Sequence, residues 1–234
     1  PTTQVTCTEE YNGSSWSAGG DLPSISSCGV GHGTQNAALA RVGSGTSTEY
    51  YKYDGSAWSQ VADFNTGRCG MGGAGSQNAA LIFGGSANCT NTEAFNGTSW
   101  VVGGALITGR GKGGSGGTVN AAIFFGGTSP GVNHTDTEEY NGSTWAAGGA
   151  LNTGQSGWGG SGNQYAMVGF RGTIAEEYNG TTWSNTAILI TNRASFGSHS
   201  SGNQSDALAT GGNPACSCTE EYSATYVKTV CLNS

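Results

Sequence analysis

The stretch TEEYNGSTW, residues 137–145, decides the fold, because it recurs along the chain. It reads TEEYNGSSW at 8–16, TEAFNGTSW at 92–100 and AEEYNGTTW at 175–183, with a variant YDGSAW at 53–58 and a decayed copy TEEYSATYV at 219–227. The anchoring aromatics are Tyr11, Tyr53, Phe95, Tyr140, Tyr178 and Tyr222, spaced by 42, 42, 45, 38 and 44 residues. In the first five copies a tryptophan follows five positions later: Trp16, Trp58, Trp100, Trp145 and Trp183. Self-similarity at a period of about 40 residues marks a chain built from one supersecondary unit stacked on itself.

Each unit reads as four short strands. Asn-Gly or Asp-Gly between the aromatic and the tryptophan, as at Asn141-Gly142 and Asp54-Gly55, is a hairpin signal whose two central residues are expected at positive φ. A second phrase lies between the first: GHGTQNAALARVG from Gly31, GAGSQNAALIFGG from Gly73, GGTVNAAIFFGG from Gly116, GNQYAMVGFRG from Gly162 and GNQSDALATGG from Gly202. Its run Ala79-Ala80-Leu81-Ile82-Phe83 is apolar on both faces, as in a strand covered from both sides. No stretch carries a sustained helical period with caps, so almost no helix is expected. Four strands per repeat predict an all-β chain, a β-propeller of four-stranded blades. The Trp column is expected between blades. Five copies of the second phrase against six of the first do not divide evenly. The expectation is a single domain over residues 1–234 with five blades and a surplus half-blade at one terminus. Six blades, the last incomplete or completed by a partner, is the alternative.

Composition narrows the class. Of 234 residues, 43 are glycine and only 4 proline, which excludes collagen. Only 10% are charged and the formal net charge is −7. That balance disfavours phosphate backbones, so no nucleic acid is expected. No apolar run is long enough to insert in a membrane. No signal-peptide pattern is present, and Pro1 in place of Met reads as a processed product or a fragment. Seven cysteines leave at least one thiol free or paired with another chain, and none stands in a CxxC pair, which disfavours zinc.

With the repeat laid out, the residues resemble the kelch family: an apolar run and Gly-Gly (Leu81 to Gly85), then Phe95, then Trp100, then Arg110, with Arg68 one unit earlier. The resemblance covers nearly the whole chain. Its compact, Asn-Gly-bearing and Gly/Ala-rich texture is most similar to kelch-like proteins of marine bacteriophages. That implies a non-enzymatic structural or host-attachment protein of a virion or surface appendage, located on the virion or outside the cell. Its expected partners are other virion or appendage proteins and cell-surface glycans, in a multimer or on a particle. The alternative is a secreted lectin with sugar sites repeated between blades. Some kelch propellers are copper oxidases, but their cysteine-crosslinked tyrosine and paired histidine ligands have no visible equivalent here. No cofactor, metal or catalytic residue is therefore expected.

The candidate residues each have a plain structural reading beside the functional one. The pairs Glu9-Glu10, Glu138-Glu139, Glu176-Glu177 and Glu220-Glu221 carry carboxylates suited to hydrolysis or calcium, yet neighbours on a strand point to opposite faces. A solvent-facing or inter-blade role suits a column repeated in several units better. His32 and His199 fall near inner strands, where they could line an axial channel. Trp158 stands outside the Trp column and is a candidate ligand-binding aromatic. Arg68 and Arg110 are candidates for the same role, or for hydrogen bonds to carbonyls of the neighbouring blade. Cys7 and Cys218 each stand four residues before their unit's tyrosine. Paired side by side in one blade, those two strands could form a disulfide tying both ends of the ring.

Overall fold

The computed structural model describes residues 5–27, 29–86, 88–186, 189–195, 202–212, 218–223 and 226–231. Among them the chain is all β, with no helix. A two-stranded hairpin comes first, β1 (Glu9–Tyr11) and β2 (Trp16–Ala18). Two four-stranded antiparallel sheets follow: β3 (Gly31–Thr34), β4 (Ala37–Arg41), β5 (Tyr50–Tyr53) and β6 (Trp58–Gln60), then β7 (Gly72–Ser76), β8 (Ala79–Phe83), β9 (Thr92–Phe95) and β10 (Trp100–Val102). The next holds β11 (Gly114–Thr118) and β12 (Ala121–Phe125), then, past a small hairpin of β13 (Thr128–Ser129) and β14 (Val132–Asn133), β15 (Thr137–Tyr140) and β16 (Trp145–Ala147). A further four-stranded sheet is β17 (Gly159–Asn163), β18 (Ala166–Arg171), β19 (Ile174–Tyr178) and β20 (Trp183–Asn185). The last has three strands, β21 (Asp206–Ala209), β22 (Cys218–Ser223) and β23 (Tyr226–Cys231). Repeated four-stranded sheets of this kind are the units from which a β-propeller is made.

The core lies between sheets rather than within any one of them. Leu39 and Tyr50 cluster with Ala80, Ile82, Phe95 and Trp100 of the following sheet. Leu81 and Phe83, on the other face of β8, cluster with Ala122, Phe124, Tyr140 and Trp145 of the sheet after that. Successive side chains of a strand point to opposite faces, so each second strand supplies two interfaces at once. This is why its sequence is apolar throughout instead of alternating. The next two interfaces repeat the arrangement. Trp100, Trp145 and Trp183 are buried there, while Trp16 and Trp58 are half-buried.

The hairpin turn departs from the expected geometry in one respect. The loop glycines take positive φ, 94° at Gly142 and 95° at Gly97, but the preceding asparagines do not. Asn141 acts through its side chain instead. Its Oδ1 accepts the N–H groups of Ser143 (3.0 Å) and Thr144 (2.9 Å). An asparagine that hydrogen-bonds the backbone two residues on builds the turn without entering the left-handed region itself.

Both terminal copies of the repeat form hairpins. The decayed copy has lost Asn-Gly and Trp, yet β22 pairs with β21 on one side and β23 on the other. That occupancy corrects the expected disulfide. With both edges of β22 taken, β1 cannot lie alongside it, and Cys7 is an exposed free thiol. The first hairpin instead packs face to face on the last sheet. Cys89 is also free, whereas Cys69 is disulfide-bonded.

Candidate functional site

The repeated polar residues meet at the joints between sheets. The tyrosine of one unit donates its hydroxyl to the second glutamate of the unit before it: Tyr53 to Glu10 (2.6 Å), Tyr178 to Glu139 (2.7 Å) and Tyr222 to Glu177 (2.6 Å). Tyr11, on the first hairpin, donates to Glu221 of the last sheet, at 2.7 Å. Where the preceding sheet offers Lys52 at this repeat position, the tyrosine is replaced by Phe95, which has no hydroxyl to place. The Tyr178 and Tyr222 hydroxyls are pushed up to about 12, by burial first and then by the carboxylate each one faces.

The tryptophan indoles repeat the pattern. Trp145 donates to Thr92 Oγ1 (2.9 Å) and Trp183 to Thr137 Oγ1 (2.9 Å), each on the preceding sheet. Trp58 and Trp100 reach the carbonyls of Gly20 and Ala62, just past the preceding outer strands. Trp16 donates to Thr219 Oγ1 of the last sheet, at 3.0 Å. The contacts that join each unit to its predecessor thus also join the first hairpin to the last sheet.

The first glutamate of the three later pairs turns inward, whereas Glu9 of the first pair is exposed. Glu138, Glu176 and Glu220 are buried, as is Glu93 at the same repeat position. Glu138 accepts the N–H groups of Ile107 and Thr108 and pairs with Arg110, while Arg68 pairs with Glu93 at 2.7 Å and Arg193 with Glu220 at 2.9 Å. Gln155 replaces the arginine one unit on. There Glu176 is held by Asn152 N (2.8 Å), Asn152 Nδ2 (3.0 Å) and Thr153 N (3.1 Å).

Arg68 and Arg110 are therefore occupied inside the protein. Arg110 donates to the carbonyls of Gly126, Thr108 and Phe124, and Arg68 to those of Gly84 and Thr66. These acceptors belong to the arginine's own unit, which corrects the expected bond to the neighbouring one. Arg110 also lies over the Phe124 ring, 4.6 Å from its centroid. Trp158 is buried with 1% exposure, where Met71 stands in an earlier repeat. It packs edge-on against Phe125 at 6.0 Å and fills the core beside Leu151 and Met167, so it presents no ring to a ligand. His32 is buried with Nε2 3.4 Å from the Tyr50 hydroxyl, and desolvation lowers its pKa to about 4. His199 lies outside the described residues. No group of three or more metal-ligating side chains occurs among the described residues, and no helix there is long and apolar enough to cross a membrane.

One repeated residue with a defined role was overlooked in the sequence. Gln77 and Gln204 each sit at the turn of an inner hairpin and reach back to two carbonyls of the preceding sheet. The signal is a recurrent Gly-Xaa-Gln step, GSQ at 75–77 and GNQ at 202–204.

The open site lies where the first hairpin meets the last sheet. It is a cleft of about 440 Å³ lined by Glu9, Glu10, Tyr11 and Trp16 of the hairpin, Gln35, and Asp206, Leu208 and Thr210 of the last sheet. Glu10, at its wall, is held below the usual carboxylate range by hydrogen bonds from Tyr53 and Gln35. No protein-family model matches the chain, and no curated protein is significantly similar to it.

Proposed function

We propose that the chain is a β-propeller of six units, the first of them only a hairpin, and that it serves as a structural or host-attachment protein of a virion or surface appendage. The observation that carries this reading is the fate of the repeated polar groups. The buried first glutamates, from Glu93 on, accept backbone N–H groups or pair with arginines, the second glutamates accept tyrosine hydroxyls, and the indoles donate across the joints. Such a network holds a rigid scaffold for display and leaves the repeated carboxylates engaged rather than poised over a substrate. The resemblance to kelch-like phage proteins supports the particle-bound setting and partners of the virion or appendage type.

A glycan array, read beside immunolabelling of purified particles, tests the reading. Label on the particle surface with at most one class of glycan site per chain is the expected result. Binding of one sugar at several equivalent sites per chain, with no label on particles, would replace it with a secreted lectin.

A further inference from the structure

We propose that the small β13–β14 hairpin carries a serine esterase site for short acyl esters, with Ser129 as nucleophile, His134 as its base and Asp136 as the residue that positions the base. None of the three belongs to the repeated columns. Their unit is longer than the one before, 45 residues between aromatics against 42, and the hairpin occupies the longer connection. Its turn, Ser129-Pro130-Gly131-Val132, has proline second and a glycine with φ of 80° third, as a type II turn requires. The register sets Thr128 opposite Asn133 and Ser129 opposite Val132. Alternation along the strands then puts Ser129 and His134 on one face as diagonal neighbours and returns Asp136 to it.

Ser129 Oγ lies 2.8 Å from His134 Nε2, and His134 Nδ1 lies 3.0 Å from Asp136 Oδ2. An ionised carboxylate only accepts, so Nδ1 carries the imidazole proton and Nε2 is left to accept from the Ser129 hydroxyl. Nucleophile, base and orienting carboxylate thus stand in the order that acyl transfer uses. Three backbone bonds hold the hairpin in place: Thr128 N to Gly111 O (2.8 Å), Gly111 N to Thr128 O (3.0 Å) and His134 N to Gly127 O (2.9 Å).

The first two of these bonds set the hairpin against the turn that bears Lys112. Ser129 and Lys112 accordingly line one cleft of about 300 Å³, with Ser86 and Gly131. Lys112 is a second departure from the repeat. Its position holds Gly70 (φ 68°) one unit earlier and Gly157 (φ 78°) one unit later, and Lys112 takes the same left-handed backbone with φ of 59°. A non-glycine residue in that region is strained, and such strain collects at functional sites. Lys112 is exposed and forms no ion pair among the described residues. Its ammonium is therefore available to the negative charge that develops on an ester carbonyl oxygen.

In the reaction Ser129 Oγ bonds to the acyl carbon while its proton passes to His134 Nε2. The bond from the acyl carbon to the leaving oxygen breaks, and that oxygen takes the proton from Nε2 as the alcohol departs. Water then attacks the acyl-serine and gives a proton to Nε2. The bond from Oγ to the acyl carbon breaks, Oγ recovers the proton, and the carboxylic acid leaves.

The test treats the full chain with a fluorophosphonate, which phosphonylates a nucleophilic serine with loss of fluoride, and maps the label by peptide mass spectrometry. Turnover of para-nitrophenyl acetate is measured beside it. One label per chain, on Ser129, is expected. Ser129→Ala and His134→Gln should each lower kcat by about a hundredfold or more. Asp136→Asn should lower kcat by about tenfold or more at unchanged KM, with part of the loss recovered in Asp136→Glu. Lys112→Gly should lower kcat by about tenfold while holding or raising Tm, a split that a purely structural lysine would not give. If a variant fails to fold, the label map on the unmodified chain decides. No label, a label on another residue, or hydrolysis that Ser129→Ala leaves intact overturns the proposal. So does a kcat unaffected by Asp136→Asn, since the three side chains would then only pin the hairpin. Failure of this site leaves the attachment reading in place, because that reading rests on the repeated joints and is tested on particles and glycans.

Discussion

Arg110 has no exposed surface and spreads its guanidinium over four carbonyls and the Glu138 carboxylate. A charge so placed is tolerable only because its donors are met. Removing one partner of a buried pair leaves the other desolvated and unpaired, a loss of about 3–5 kcal/mol. Glu138→Gln should therefore lower stability by that order in urea unfolding. The double variant Arg110→Met, Glu138→Met should recover part of the loss, because no orphan charge remains. A double change that costs the sum of the singles would mean that the pair is not coupled. The positions of these residues were readable as a repeated column, but their partners were not. Sequence spacing shows which residues recur, while the acceptor of a guanidinium depends on which carbonyls the folded turn presents.

The hairpin is the element repeated most faithfully, and its stability rests on the loop glycine. Gly142 has φ of 94°, a conformation in which a β-branched side chain is strained. Gly142→Val should destabilise the chain by about 1–3 kcal/mol, and Asn141→Ala by about 1 kcal/mol through loss of its turn bonds. Chemical denaturation of the two variants gives the ranking, and equal or reversed effects would contradict it. The sequence announced this turn through Asn-Gly, yet it suggested positive φ at both residues. The structure uses the asparagine as a hydrogen-bond acceptor because its side chain, not its backbone, satisfies the N–H groups of Ser143 and Thr144.

At the scale of the whole molecule, the first hairpin joins the second sheet to the last. Tyr11 and Trp16 bond to Glu221 and Thr219, and Glu10 accepts from Tyr53. Deleting residues 1–20 removes all three, together with the contacts that half-bury Trp16. Net hydrogen-bond values of about 1 kcal/mol each make the loss on the order of 3–5 kcal/mol. For a chain of this size that lowers Tm by about 10 °C. Differential scanning calorimetry checks the value, and hydrogen exchange should show new exposure in β5 and β22. An unchanged Tm would mean that the hairpin is an appendage rather than a joint. By itself the sequence determined the all-β class, the four-strand unit and the tyrosine and tryptophan columns, because each follows from local turn chemistry and from strands apolar on two faces. Trp158 was legible only as an exception to those columns, and the fold alone placed it in the core. The tertiary structure likewise decided how the two terminal copies are used and where the open cleft lies. Those depend on which sheet edges are already taken, as β22 is by β21 and β23, and edge occupancy is a property of the assembled sheets that no single repeat encodes.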